Sequence, residues 1–356
     1  MLLLITAALA ALGQPRPLRV EQAARELLDA GPEVPRGELL GAARQRAASW
    51  RLPAAAAAPP RRPAAGAAGA PGCGRPPPAS GVYTLPVVDP VLGPISRTYH
   101  LHVPEHYAPE RRHMLVFDFH PWGWSAADQK EANGMDQIAD ERHAIVVHPE
   151  GLDDTPAEDG SFSWNACGAT TWRQSALGPT CQWATDPSVP NAGYPCHRSC
   201  QILHGCEDED NADVCDCASC VDDAGFVLSL LRRMEDLLCV DPLRIHATGY
   251  SNGAIMSYEA ATGNNTALAR RFASIAPAAG APLVGFASKP TPGGAVAVMD
   301  MRGWLDNTCP ANVSNGWPSP WLPGQGQPGP HGSALSNDGF YYSTLDNVRT
   351  WLPASS

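Results

Sequence analysis

The stretch RIHATGYSNGAIMSYEAATG, residues 244–263, holds one serine between two glycines, Gly249-Tyr250-Ser251-Asn252-Gly253. Before it, LRIHATG (243–249) is a short, β-rich apolar run, and after it NGAIMSYEAAT (252–262) has helical spacing. A serine on so sharp a strand-to-helix turn needs small neighbours two residues away on either side, and Gly249 and Gly253 meet that need. The turn lifts the hydroxyl above the sheet and aims a helix N-terminus at it, where partial positive charge favours an anion. Ser251 is therefore the candidate nucleophile, and the backbone N–H of Asn252 is a candidate oxyanion donor.

A nucleophile of this kind needs a second oxyanion donor, an acid and a base. The loop FDFHPWGWS (117–125) follows a strand-like run and opens a helix-like one, which suits the second donor. Pro121 has no N–H, so the donor falls to Trp122 or Gly123, with Trp122 the assignment, while His120 suits a bracing role. The acid should follow the serine, in a loop after a later strand. VAVMDMRGWLDNT (296–308) offers Asp306 in such a loop; Asp300, inside the strand run, reads as structural. The one histidine after Asp306 is His331, in GQGQPGPHGSALS, which completes the order Ser251, Asp306, His331.

The surroundings are an α/β pattern. SRTYHLHVP (96–104), HMLVFDFHP (113–121), HAIVVHPEG (143–151), FASIAPAAG (272–280) and AVAVMDMRG (295–303) read as strands. They alternate with helical spacing over 125–141 and an amphipathic helix over 221–239. Alternation of this kind predicts a mostly parallel sheet covered by helices on both faces.

The N-terminal part differs. MLLLITAALAALG (1–13) is an apolar run too short to span a bilayer and is expected to be a signal peptide. Residues 14–80, rich in Ala, Pro and Arg, are expected to form a disordered linker, leaving 81–356 as the folded domain. Residues 1–80 hold ten Arg against five acidic residues, whereas the remainder holds 15 basic against 31 acidic residues. So acidic a globular part excludes nucleic acid and anionic membrane surfaces as expected partners. No segment approaches the length of a transmembrane helix.

Eight of the eleven cysteines lie between Cys167 and Cys220. After a signal-like start they read as a disulfide framework within an insertion over 160–220, near the carboxyl edge of the sheet. The rival reading is zinc held by CDCASC (215–220) with His197 and His204. The sequons at Asn264 and Asn312 fit export. Disulfides are the preferred reading, and neither a metal nor an organic cofactor is expected.

Taken together, FHPWGWS, SWNACG (163–168), VDDAGFVLSLL (221–231), VDPLRIHATGYSNGAIMSY (240–258), FASIAPAAG, RGWLD (302–306) and GFYYSTLDNVRTW (339–351) resemble a known group. The chain is similar over about residues 95–352 to secreted α/β-hydrolase esterases: feruloyl esterases, acetyl xylan esterases and polyhydroxybutyrate depolymerases. The resemblance implies an α/β-hydrolase fold with Ser251 as nucleophile, Asp306 as acid, and Trp122 and Asn252 at the oxyanion hole. It implies that Asp222 and Asp223 anchor a loop and a helix start.

Three departures stand out. His120-Pro121 and Arg302-Gly303 occupy positions where the group usually has His-Gly. The group's base, on a Gly-rich loop after a final strand, has no counterpart before Ser356. The expectations are a truncated chain lacking the last strand, a substituting His331, or a degenerate glycan- or polymer-binding relative. The implied activity is hydrolysis of acyl or feruloyl esters of plant- or algal-type polysaccharides, or of polyesters. A serine peptidase on the same fold is a weaker alternative. Trp164, Trp172, Trp183, Trp304, Trp317 and Trp321, in loop-like stretches, are candidates for stacking on sugar or ferulate rings. The acyl group, the alcohol and the oligomeric state are not legible.

Overall fold

A computed structural model of the chain describes residues 71–155, 160–166, 174–175, 178–179, 197–204, 218–262, 265–283, 296–303, 306, 309, 311, 327–328, 334–336 and 339–341. The chain divides into two compact units, Met1–Gly69 and Ala70–Ser356. The first, with the signal-like run and most of the Ala/Pro/Arg-rich segment, lies outside the described residues.

Along the second unit run β1 (Gly81–Asp89), β2 (Gly93–His102), β3 (His113–Phe119), α1 (Ala126–Asn133), α2 (Met135–Arg142) and β4 (Ile145–Pro149). The short strands β5 (Gln174–Ser175) and β6 (Gly178–Pro179) and helix α3 (Arg198–His204) follow. Then come α4 (Asp223–Leu237), β7 (Val240–Tyr250), α5 (Asn252–Thr262), α6 (Thr266–Ala269), β8 (Ser274–Ala278) and β9 (Ala297–Val298). Three more short strands, β10 (Gln327–Pro328), β11 (Ala334–Ser336) and β12 (Gly339–Tyr341), form an antiparallel sheet of their own.

The main sheet has seven strands in the order β1-β2-β4-β3-β7-β8-β9. β1, β2 and β4 pair antiparallel, and β4, β3, β7, β8 and β9 pair parallel. This is the α/β-hydrolase arrangement, with β7 flanked by β3 and β8 so that the loops leaving all three open at one edge. The central parallel strands are largely apolar where they are buried on both faces, and every residue of β4 is buried. β1 alternates exposed and half-buried residues, as an edge strand should, and tolerates Pro86 for that reason.

Successive residues of β3 point to opposite faces. Phe117 and Phe119 join α4 residues Phe226, Leu230 and Leu231 in the hydrophobic core, with Phe272 edge-on to Phe117. Between them, Asp118 faces α1, accepting from Gln129 Nε2 at 2.9 Å and Asn133 Nδ2 at 2.6 Å. Helices thus cover both faces. On the α1 side His148 is buried between two carboxylates, with Nδ1 2.9 Å from Asp118 and Nε2 3.0 Å from Asp136. Both ring nitrogens therefore donate. Burial alone would lower the His148 pKa, but the two carboxylates raise it to about 9.

The single helical run expected over 125–141 is two helices. Ser125 caps the first in a reciprocal box with Asp128. Gly134 then takes φ +64° and ends it, because a left-handed residue breaks the hydrogen-bond ladder.

Two disulfides join described residues. Cys73–Cys239 ties the start of the unit to the end of α4, where the Gly72 N–H also donates to the Glu235 carbonyl at 2.9 Å. Cys200–Cys220 ties α3 to the segment before α4. Cys309 is buried and free. Among the described residues, no helix is long and apolar enough to cross a membrane.

Candidate active site

β7 ends at Tyr250 and α5 starts at Asn252, so Ser251 makes the whole turn alone. Its φ is +54°, in the left-handed region that costs a residue with a Cβ about 1 kcal/mol or more. The strain is held by bonds on both sides. The Ser251 N–H donates to the Ala278 carbonyl at 2.9 Å, and its carbonyl accepts from Ala254 at 2.9 Å and Ile255 at 3.1 Å. The flanking glycines are sterically required. A Cβ on Gly249 would stand 2.4 Å from the Gly253 carbonyl oxygen, and one on Gly253 would stand 2.2 Å from that of Phe119. A third glycine escaped the sequence reading: a Cβ on Gly280, after β8, would stand 2.3 Å from the Ser251 carbonyl oxygen.

The loop after β3 sits beside this turn. His120 is fully buried; its Nε2 accepts the Gly151 N–H at 2.8 Å, so its Nδ1 carries the proton and donates to the Pro121 carbonyl at 2.7 Å. Burial lowers its pKa to about 4, so it is a neutral brace at neutral pH. The Gly123 N–H is used by the Phe162 carbonyl at 2.8 Å, which takes Gly123 out of the donor role.

Asn252 carries a feature the motif did not suggest. Its Oδ1 accepts from the Trp164 N–H at 2.7 Å, and its Nδ2 donates to the Trp164 carbonyl at 3.1 Å. The Trp164 indole, fully buried, donates from Nε1 to the His120 carbonyl at 2.9 Å and meets the Phe119 ring edge-on. Trp164 is therefore no platform for a sugar ring, which needs an open face. Trp172, Trp183, Trp304, Trp317 and Trp321 lie outside the described residues.

On the far side, the Ala278 backbone pairs with Met301, and the Ala279 N–H donates to the Met301 carbonyl at 2.7 Å. Asp306, half-buried, lies five residues further on, in the loop that leaves this same edge. Its Oδ1 accepts the Cys309 N–H at 2.9 Å, and burial with the nearby Asp306 charge pushes the Cys309 thiol up to about 12. Asp300 is occupied elsewhere, accepting from Arg302 Nε at 3.1 Å and Nη2 at 3.0 Å. Arg302, standing where the esterase group usually has histidine, is thus half of a buried ion pair. His331 lies outside the described residues.

Other polar groups near this edge serve the insertion. His197 Nδ1 is 2.8 Å from Asp154 Oδ1, and Asp154 Oδ2 accepts the Ser199 N–H at 2.6 Å, fastening the start of α3. The zinc alternative loses Cys220 to its disulfide with Cys200. Among the described residues no cluster of His, Cys, Asp and Glu suits a metal ion. Asp222 caps α4 by accepting the Gly225 N–H at 2.8 Å. Asp223 is buried against Arg97 at 2.7 Å and accepts the Asn165 N–H at 2.7 Å. Both anchor loop and helix.

No protein-family model and no curated protein matches the chain. Among solved structures it is similar to an acetyl xylan esterase from Aspergillus awamori at 12% identity and TM-score 0.33, over 56% of this chain and 52% of that one. It is similar to a substrate-bound fluorophosphonate-binding serine hydrolase of Staphylococcus aureus at 10% identity and TM-score 0.32, over 57% and 58%. A thermostable esterase matches at 18% identity and TM-score 0.32, over 63% and 55%. The chain spans little more than half the length of each. At such scores the strand order above, and not these likenesses, carries the fold.

Proposed function

We propose that the chain is a secreted serine esterase that hydrolyses carboxylic esters of polysaccharides, feruloyl or acetyl, or polyesters, through an acyl-enzyme on Ser251. The observation that carries this reading is the strained Ser251 turn, at φ +54° between β7 and α5, with glycines where any Cβ would strike backbone. A serine held in such a conformation at the mouth of an open α/β sheet needs a reason beyond packing, and nucleophilic attack supplies one.

In this mechanism the Ser251 hydroxyl attacks the ester carbonyl and gives its proton to His331, which Asp306 orients. The backbone N–H groups of Asn252 and Trp122 receive the oxyanion, each worth about 3 kcal/mol in the transition state. The alcohol leaves with the proton, and water then releases the acid by the same steps. The Cys73–Cys239 and Cys200–Cys220 disulfides support export, since such bonds persist in oxidising compartments. Polysaccharide or polyester as the substrate rests on the resemblance of the sequence motifs.

The test is hydrolysis of p-nitrophenyl acetate by the secreted protein and by Ser251→Ala. Turnover by the first and its loss in the second support the esterase. Equal rates, or none in either, contradict it and favour the binding relative, which keeps the turn without the proton acceptor.

A further inference from the structure

The two oxyanion donors named above lie on different elements, Asn252 on α5 and Trp122 in the loop after β3. A single residue from a third segment bonds both to Asn252 and to His120, at the start of that loop. We propose that Trp164 is the positioning residue of the oxyanion hole, a staple that sets the elbow and the β3 loop in register. This rests on the reading of Ser251 as an ester nucleophile.

On the elbow side, the Asn252 carboxamide grips the Trp164 peptide group from both ends, at 2.7 and 3.1 Å. On the loop side, the Trp164 indole N–H holds the His120 carbonyl at 2.9 Å, and the Phe162 carbonyl two residues earlier holds the Gly123 N–H at 2.8 Å. These last two bonds bracket Trp122. The whole contact is buried: Trp164 is fully so, and Asn252 and His120 are at most 5% exposed. Hydrogen bonds there are costly to leave unmade, so losing one lets the loop and elbow drift apart.

The staple is itself anchored. Ser163 pairs with Leu152 through bonds of 3.2 and 3.3 Å, and its Oγ accepts the Ser219 N–H at 2.9 Å. The Asn165 N–H donates to Asp223, which is fixed by Arg97. The Cys-rich insertion therefore reaches the reaction centre through its first residues, and Trp164 carries that connection.

Packing alone and positioning make different predictions. Trp164→Phe keeps an aromatic ring against Phe119 and removes the bond to His120. Asn252→Ala removes the grip on the Trp164 peptide while keeping the Asn252 N–H. Phe119→Leu disturbs the ring contact and no hydrogen bond of the staple. Two readouts are taken on all three: kcat and KM for p-nitrophenyl acetate, and amide hydrogen exchange of segments 119–124 and 250–254. The proposal expects kcat to fall about a hundredfold at unchanged KM in Trp164→Phe and in Asn252→Ala. Exchange rises in both segments in these variants, and Phe119→Leu lowers the melting temperature with neither change. Unaltered exchange in both segments of Trp164→Phe overturns the staple, as does an unaltered kcat. If Trp164→Phe does not fold, Asn252→Ala decides on the same criteria. Absence of Ser251-dependent turnover in the wild type overturns the esterase reading instead, and exchange alone then upholds or overturns the staple.

Discussion

Gly253 lies so close to Phe119 that a Cβ on it would stand 2.2 Å from the Phe119 carbonyl oxygen and 2.5 Å from that of His120. Both obstacles are backbone, at the end of a central strand, so neither can rotate away. Gly253→Ala must push α5 off β3 and with it the turn that presents Ser251. The expected cost is about 3 kcal/mol, at the upper end for overpacking, or roughly a 10 °C drop in melting temperature. Thermal unfolding followed by circular dichroism measures it; an unchanged midpoint contradicts the close approach.

Ser251 pays for its position with a left-handed backbone at φ +54°. Glycine adopts that conformation freely. Ser251→Gly is therefore expected to stabilise the fold by about 1 kcal/mol while abolishing any chemistry that uses the hydroxyl. Urea midpoints of the two proteins give the comparison. A destabilised glycine variant shows that the turn is not strained.

Stability should peak near pH 6.5. The folded His148 pKa is raised to about 9 from an ordinary 6.5, so its contribution is complete below 6.5 and lost as pH climbs towards 9. His120 and His246 are lowered by burial to about 4, so they contribute above 6.5 and lose that contribution as pH falls towards 4. Asp136 adds a further acid decline: although burial opposes it, hydrogen bonds from His148 and Lys130 hold its pKa at about 2. Urea midpoints between pH 4 and 9 should trace both limbs, and His148→Gln should flatten the alkaline one. A variant with the wild-type alkaline slope removes His148 from this account.

What the sequence showed and what it hid separate by range. The strand before Ser251, the helix over 252–262 and the two glycines are local, and the structure has β7 and α5 where periodicity placed them. β1 was hidden because a proline within a run argues against a strand, and only an edge position makes Pro86 tolerable. The break at Gly134 was hidden because an isolated glycine is compatible with a helical run. The Asn252–Trp164 grip joins residues 88 apart, and the Arg97–Asp223 pair joins residues 126 apart. No period or spacing encodes such pairs, so Trp164 looked like one of several loop tryptophans, although SWNACG was already conspicuous as a motif. Asp306 and His331 are both put forward by their order after Ser251, and order does not encode the reach to the serine that defines an acid or a base.

The central claim is that Ser251 forms a covalent acyl intermediate. Incubating the protein with p-nitrophenyl acetate, quenching in acid and mapping peptides by mass spectrometry tests this directly. The account predicts one acetyl group per chain, located on Ser251, and none in Ser251→Ala. Acetylation elsewhere with Ser251 unmodified, or release of nitrophenol with no acyl-enzyme under conditions that trap one, would contradict it.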